Sequence, residues 1–148
     1  MALSGSSHPL PPRPRGFTLL ELMVTVAVVA LLATIGLNSY SSATTKARRA
    51  AVQSHLQDLA NRQEQLLLDA RAYATSNTSP PMPALPADVS GHYTVTISAD
   101  NSDTPPSFLI TATPVGSQAT RDTRCGTLTL NQDGTKTRTG SAPLNECW

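Results

Sequence analysis

One carboxylate lies inside the most apolar part of the sequence. Residues 17–37 carry a single charged side chain, Glu21, and are preceded by Arg13, Arg15 and Gly16. A carboxylate in an apolar span costs about 3 kcal/mol on membrane insertion, which an opposite charge would offset, so such a group usually marks a functional site. The alternative is an ordinary glutamate at a membrane edge. The pattern indicates Glu21 as a candidate site.

The two cysteines, Cys125 and Cys147, form the second candidate pair. They have no CxxC spacing and no nearby histidine, so they make a poor metal site. In a chain that leaves the cytoplasm they make a good disulfide. We therefore expect no metal and no cofactor in this protein.

Four basic side chains near the C-terminus could contact DNA. Arg121, Arg124, Lys136 and Arg138 would form a weak basic stripe, because residues 136 and 138 share one face of a strand. Residues 73–148, however, hold these four basic side chains and six acidic ones. Phosphate contacts usually need a positive surplus. The sequence favours the alternative, solvated strand edges that discourage aggregation.

The histidines do not indicate catalysis. His8 lies near the N-terminus, His55 falls in a predicted helix, and His92 adjoins a predicted strand. No nucleophile–base pair, metal spacing or glycine-rich phosphate loop accompanies them. We expect His55 and His92 at the surface, and a protein that is not an enzyme.

Length and composition describe a small protein with a thin core. The chain has 148 residues, a formal net charge of +1 and 39% hydrophobic residues. This suffices for one sheet against one helix, but not for a large enzyme interior. The near-zero net charge excludes a nucleic-acid binder held by bulk basicity.

The distribution of proline predicts one long helix. No proline occurs in residues 15–79, and proline is the residue that a helix interior tolerates least. We predict a helix over residues 17–72, about 84 Å long. Its first part, residues 17–37, is long enough to span a bilayer. The alternative, a secretory signal cut near Ser41 or Ala43, typically has a shorter apolar stretch.

The second part of the helix, residues 38–73, is amphipathic. Apolar residues and one glutamine repeat at spacings of three and four, as on one face of a helix. This stripe consists of Val52, Leu56, Leu59, Gln63, Leu66, Ala70 and Tyr73. The charged side chains off the stripe are expected in solvent; they are Lys46, Arg49, Asp58, Arg62 and Asp69.

The rest of the chain is predicted to form a sheet. Residues 74–91 are a proline-rich connecting loop. In residues 92–148, apolar and polar residues alternate in short runs, and residues 131–134 have the composition of a hairpin loop. We expect an α+β fold in which residues 38–73 pack on an antiparallel sheet of about four strands.

Several features coincide where the apolar span begins. Residues 1–16 form a short basic leader that ends in Gly16, Phe17 follows, and Glu21 lies four residues later. This combination resembles the processing site of type IV pilins and pseudopilins. The chain has Asn38 where many of these pilins carry a proline.

The C-terminal segment carries a second resemblance. Residues 122–131 and 134–136, followed by Cys147 and Trp148, are similar to the end of PilE-type minor type IV pilins. In those proteins a disulfide closes this region and holds the last strand. The resemblance therefore also implies a disulfide between Cys125 and Cys147.

The resemblance implies a set of sites and partners. A prepilin peptidase would cut after Gly16 and methylate the new amino group of Phe17. That amino group on a neighbouring subunit would be the partner of Glu21 in assembly. Other major and minor pilin subunits, the inner-membrane assembly machinery and membrane lipid are the remaining partners. The chain would be a single-pass protein of the bacterial inner membrane and afterwards part of an extracellular pilus.

The function implied by this resemblance is structural. The chain is expected to be a minor type IV pilin, with roles in pilus assembly, twitching motility and adhesion. A type II secretion pseudopilin is one alternative, because it shares the N-terminal features. A DNA-binding competence pilin, which would use the basic stripe, is the other.

Overall fold

The computed structural model describes residues 16–76 and 83–148. The elements in chain order are α1 (Leu19–Ala70), α2 (Ala87–Ser90), β1 (Tyr93–Asp100), β2 (Ser107–Pro114), α3 (Gly116–Arg121), β3 (Leu128–Asn131), β4 (Lys136–Arg138) and α4 (Leu144–Cys147). The predicted leader, apart from Gly16, and part of the predicted loop lie outside the described residues. The chain divides into two compact units, Met1–Asn38 and Ser39–Trp148, and α1 contributes to both.

The first unit contains the start of α1. The Thr18 hydroxyl accepts a hydrogen bond of 3.2 Å from the backbone N–H of Glu21, which caps the first helical turn. The side chains of residues 17–34 are all exposed. Among the described residues, α1 is the one helix long and apolar enough to cross a membrane, and its most apolar 18-residue window has a mean hydropathy of 2.3.

In the second unit, α1 packs on a four-stranded antiparallel sheet. The strand order is β1-β2-β3-β4, with every neighbouring pair antiparallel. The core combines one face of α1 with the alternating inward residues of the strands. Its members include Val52, Leu56, Leu59, Tyr93, Ile97, Phe108, Ile110, Ala112, Leu128 and Leu130. The predicted α+β fold and its number of strands are confirmed.

The glutamine in the apolar stripe has a structural role. Gln63 is fully buried, and its side-chain amide both donates to the Ala74 carbonyl (2.6 Å) and accepts from the Ala74 N–H (2.8 Å). The helix ends at Ala70 because Arg71 takes the left-handed conformation, with φ 57°. Gln63 thus satisfies the hydrogen-bonding groups of the Ala74 backbone just after the helix. The helix itself ends two residues before its predicted end at residue 72.

Three short helices were not predicted from the sequence. α2 lies within the predicted connecting loop, α3 joins β2 to β3, and α4 lies at the C-terminus. They have six residues or fewer, so they contain too few turns to produce a helical periodicity. α3 and α4 matter most, because the candidate site is built beside them.

Candidate functional site

A groove in the second unit brings basic side chains together from distant parts of the chain. α1 supplies Lys46 and Arg49, α3 supplies Arg121, and the following loop supplies Arg124. The cavity has a volume of about 750 Å³. Its other walls include Ser42, Gln53, Ala142, Glu146, Trp148 and both cysteines. We term this cavity the basic groove.

Arg49 forms a buried ion pair at the groove. Its Nη1 lies 2.5 Å from Oδ1 of Asp122, and the two side chains are only 12% and 5% exposed. The same nitrogen lies 2.9 Å from Sγ of Cys125, and Nη2 donates to the Glu146 carbonyl at 3.2 Å. The prediction that Arg49 lies in solvent is therefore wrong. Its place on α1 is covered by α3 and the C-terminal loop, which the helical periodicity does not show.

A second set of hydrogen bonds fixes Asp122. Its Oδ2 accepts from the Tyr93 hydroxyl (3.2 Å) and from Nε2 of Gln118 (3.1 Å). Nε2 of Gln118 also lies 3.1 Å from the Thr45 carbonyl of α1. Burial raises the pKa of Tyr93, so its hydroxyl stays protonated and remains a donor. The network ties α1, β1 and α3 together beside the groove.

The predicted disulfide between Cys125 and Cys147 is confirmed. The two Cα atoms lie 5.4 Å apart, and the bond joins the loop after α3 to the end of α4. Gln53 of α1 donates a hydrogen bond to the Cys147 carbonyl. Both cysteines line the basic groove. The disulfide is thus part of the wall that faces α1.

The four residues of the predicted basic stripe lie in two places. Arg121 and Arg124 line the groove. On β4, the Nζ of Lys136 lies 4.9 Å from the ring centroid of Trp148, and Arg138 donates a hydrogen bond to the Gly140 carbonyl. Arg121 and Arg124 therefore share the basic groove with Lys46 and Arg49 of α1, and not with Lys136 and Arg138 of β4.

Sequence reasoning missed Lys46 and Arg49 as members of a site. Their signal was the run of basic residues that follows the apolar span, which includes Arg48. Among the described residues, neither Lys46 nor Arg121 has an ion-pair partner, whereas Arg124 lies 3.0 Å from Glu146. That pair is 71% and 51% exposed, so it is weak. The groove consequently carries unneutralised positive charge.

The predicted surface position of His55 is wrong. The residue is 6% exposed, and its Nε2 is buried with no hydrogen-bond partner among the residues that the structure describes. Burial lowers its pKa, so the neutral imidazole is favoured. His55 precedes Leu56 on α1, and the buried face of the helix is wider than the predicted stripe. His92 is half-buried. The described part of the chain contains no group of three metal-ligating side chains.

The residues of the predicted processing and assembly site lie in the first unit. Phe17 is 78% exposed and precedes α1, and Glu21 is exposed in the first helical turn. A negative charge at this end of a helix interacts favourably with the helix dipole. Glu21 is therefore compatible with helix formation by a single chain and is available to a partner.

Comparisons with known proteins agree with this architecture. The family described as type IV minor pilin ComP, DNA uptake sequence receptor, matches residues 38–129, and the prokaryotic N-terminal methylation motif matches residues 12–37. A type IV pilin from Shewanella oneidensis has a similar fold, with a TM-score of 0.50 and 22% identity. That similarity covers 70% of this chain and 97% of the pilin.

Two curated relatives are both named type IV major pilin protein PilE1, from Neisseria gonorrhoeae. One is 28% identical over 87 residues, which cover 59% of this chain and 48% of the relative. The other is 26% identical over 116 residues, which cover 78% of this chain and 67% of the relative. The chain thus spans about half the length of the first relative. Because the minor-pilin family matches more than half of the chain, the protein belongs to the type IV minor pilin ComP family.

Proposed function

We propose that this minor pilin is a DNA receptor displayed on a type IV pilus. The observation that carries the proposal is the family match over residues 38–129, since that family is described as a DNA uptake sequence receptor. It favours the competence pilin over the type II secretion pseudopilin. The structure supplies cations for phosphate contacts: Arg124 is exposed, and Lys136 lies over the Trp148 ring.

DNA binding is expected to depend on Arg124 and Lys136. Each phosphate contact removed lowers the slope of log affinity against log salt by about 0.9. The double variant Arg124→Gln/Lys136→Gln should therefore bind duplex DNA more weakly, with a slope reduced by about 1.8. Gel shifts of the purified chain at several salt concentrations measure both quantities.

The matched control for this experiment is Arg62→Gln/Arg71→Gln. It removes two positive charges, as the test variant does, but from exposed positions at the C-terminal end of α1: Arg62 lies within the helix and Arg71 directly follows it. This variant should keep the wild-type salt slope. A wild-type protein that fails to bind duplex DNA would refute the receptor proposal. A control variant that loses as much affinity would place the DNA contacts elsewhere.

Cleavage after Gly16 and methylation of Phe17 are proposed as the maturation step. The match of residues 12–37 to the N-terminal methylation motif supports this step. We expect the protein from its native host to begin at Phe17 and to carry one methyl group, as measured by intact mass. Replacing Gly16 with a bulky residue should block cleavage, because glycine lets a protease approach the backbone closely. A mature chain beginning near Thr44 would instead indicate a secretory signal.

Membrane anchoring through residues 17–37, followed by assembly through Glu21, completes the proposal. We expect Glu21→Gln to preserve insertion and cleavage but to lower recovery in sheared pili by at least about tenfold. The variant keeps the size of the side chain but removes its charge. In the proposed assembly, attraction between this carboxylate and a neighbouring amino terminus offsets the carboxylate's membrane insertion cost of about 3 kcal/mol, and the neutral side chain lacks that attraction. Immunoblots of membrane and sheared-pilus fractions from a complemented deletion strain measure the effect.

Asp58→Asn is the control for Glu21→Gln. It removes a carboxylate from an exposed position farther along α1, and we expect it to leave recovery unchanged. Wild-type recovery of the Glu21→Gln protein in sheared pili would show that this carboxylate does not dock the subunit.

A further inference from the structure

One sulfur of the disulfide is in contact with a cation. Nη1 of Arg49 lies 2.9 Å from Sγ of Cys125, whereas in the described part of the chain Sγ of Cys147 accepts no hydrogen bond. A guanidinium next to a cysteine stabilises the thiolate and lowers the pKa of the thiol, and the thiolate is the reactive form. The electrostatic surroundings of the two cysteines therefore differ once the disulfide is open.

Arg49 is held in place by groups other than the sulfur. Its ion pair with Asp122 and its hydrogen bond of 3.2 Å to the Glu146 carbonyl orient the guanidinium. Asp122 is fixed in turn by the Tyr93 hydroxyl and the Gln118 amide. The Arg49 side chain is only 12% exposed, so water screens its charge weakly. The ion pair therefore holds the guanidinium beside position 125 whether the disulfide is closed or open.

The backbone at Cys125 is also fixed without the disulfide. Its N–H donates to the Asp122 carbonyl at 3.1 Å, and its carbonyl accepts a hydrogen bond of 2.9 Å from the Gly140 N–H. The two segments approach so closely that a Cβ at position 140 would collide with the Arg124 carbonyl, so that only glycine fits there. Cys125 therefore stays beside the guanidinium when the disulfide is absent.

Cys147 lies in a segment with fewer attachments. It is the last residue of α4, a helix of four residues, which is too short to be stable by itself. Its carbonyl accepts a hydrogen bond from Gln53 of α1. Opening the disulfide removes the covalent attachment of this segment to the loop after α3. The segment is then free to move and to uncover Cys125, which is 2% exposed in the closed form.

The other charged groups nearby do not cancel the effect of Arg49. Burial of Cys125 disfavours a thiolate, and the carboxylate of Asp122 offsets part of the Arg49 charge. Arg49, however, donates directly to the sulfur, and a hydrogen bond to the charged form favours that form. Glu146, which also lines the groove, pairs with Arg124. Two further cations of the groove add to the positive potential; they are Lys46 and Arg121. The balance favours the thiolate of Cys125.

We propose that Cys125 is the sulfur that first reacts with a dithiol–disulfide oxidoreductase when the disulfide forms, and that Arg49 stabilises its thiolate for this step. The Cys125 thiolate attacks one sulfur of the oxidoreductase disulfide, so that a mixed disulfide forms and the other sulfur leaves as a thiolate. The Cys147 thiolate then attacks Sγ of Cys125, which closes the native bond and releases the oxidoreductase as a dithiol. The two cysteines lose two electrons and two protons, which the oxidoreductase gains. The proposal requires neither DNA binding nor the membrane anchor, because the step involves only Arg49 and the two cysteines.

The test compares the two thiols in the reduced full chain, kept in an uncharged detergent. Brief pulses of iodoacetamide, an uncharged reagent, are applied over a range of pH, and mass spectrometry of the peptides gives a labelling rate for each cysteine. We expect the rate at Cys125 to level off at a lower pH than the rate at Cys147. Near neutral pH, hydroxyethyl disulfide, an uncharged oxidant, should form a mixed disulfide with Cys147→Ala about threefold faster than with Cys125→Ala. The gain is modest because a thiolate of lower pKa is a weaker nucleophile.

The role of Arg49 is tested by removing it together with its counter-ion, so that no buried charge is left unpaired. In Arg49→Met/Asp122→Leu, labelling of Cys125 should level off at a higher pH, and its reaction with hydroxyethyl disulfide near neutral pH should slow about threefold. Arg49→Lys keeps the charge and should retain most of the wild-type rate. Arg121→Gln is the matched control, because it removes a groove cation that donates no hydrogen bond to either sulfur in the described part of the chain. It should change both rates by less than about 1.5-fold.

Four results would overturn the proposal. The first is the same pH dependence for both thiols in the wild-type chain, a comparison that decides even if Arg49→Met/Asp122→Leu does not fold. The second is a wild-type profile of Cys125 in that double variant. The third is a first adduct on Cys147 in the reduced wild-type chain, which reverses the order of the reaction. The fourth is a reduced chain whose far-UV circular dichroism shows no sheet, because the contact with Arg49 would then form only after the bond.

Discussion

Replacing Asp122 with alanine is expected to lower the free energy of unfolding of the second unit by about 3–5 kcal/mol. The substitution leaves the guanidinium of Arg49 buried without its counter-ion, and that side chain is only 12% exposed. It also removes the acceptor of the Tyr93 hydroxyl and one of the acceptors of the Gln118 amide. Breaking a buried pair on one side costs more than the pair contributes, because the remaining charge loses both water and its partner.

Chemical denaturation followed by Trp148 fluorescence measures this change. The control is Arg49→Met/Asp122→Leu, which replaces both charges with apolar side chains. We expect the double variant to lose much less stability than Asp122→Ala, because an apolar pair can substitute for a buried ion pair. A loss below about 1 kcal/mol for Asp122→Ala would show that the pair is solvated in solution.

Removing the disulfide is expected to lower the free energy of unfolding by about 3 kcal/mol. Cys125 and Cys147 are separated by 22 positions, and the bond constrains that segment in the unfolded chain. Such a loss is a large share of the stability of about 5–15 kcal/mol that is typical of small domains. The variant Cys125→Ala/Cys147→Ala avoids a lone thiol, and its melting temperature should fall together with that of the reduced wild type.

Two results would contradict this expectation. One is an unchanged melting temperature after reduction of the wild-type protein. The other is the detection of free thiols at Cys125 and Cys147 in protein exported by the native host. Hydrogen exchange gives a local check, because residues 125–148 should lose protection in the double variant while the amides of α1 near Leu56 keep theirs.

These two predictions concern the same wall of the basic groove. Nη1 of Arg49 contacts both Asp122 and Sγ of Cys125, and Gln53 holds the carbonyl of Cys147. The ion pair and the disulfide therefore attach the C-terminal loop to α1 at neighbouring points. The cations of the groove depend on this attachment, since Arg121 and Arg124 flank Asp122 in the sequence.

The sequence alone determined the features that are encoded by local patterns. The absence of proline predicted α1 to within two residues at each end, because helix formation depends on neighbouring residues. Alternation predicted the inward faces of β1 and β2, where Tyr93, Ile97, Phe108 and Ile110 are buried. The processing motif and the cysteine pair could also be recognised in the sequence, because residue types and their spacing define each of them. The short helices were not, although Pro86 and Pro143 stand just before α2 and α4.

Only the tertiary structure decided which charged residues meet. Arg49 lies off the predicted apolar stripe, so a helix considered alone places it in solvent. The chain returns 73 positions later with Asp122 and covers it, and the burial of a side chain depends on such distant segments rather than on its own helix. The same return brings Arg121 to the cavity that Lys46 lines and so creates the basic groove. Charge counted along the sequence assigned residues 73–148 an acidic surplus. The fold groups charges by position in space, however, and it joins Lys46 and Arg49 of α1 to Arg121 and Arg124 around α3.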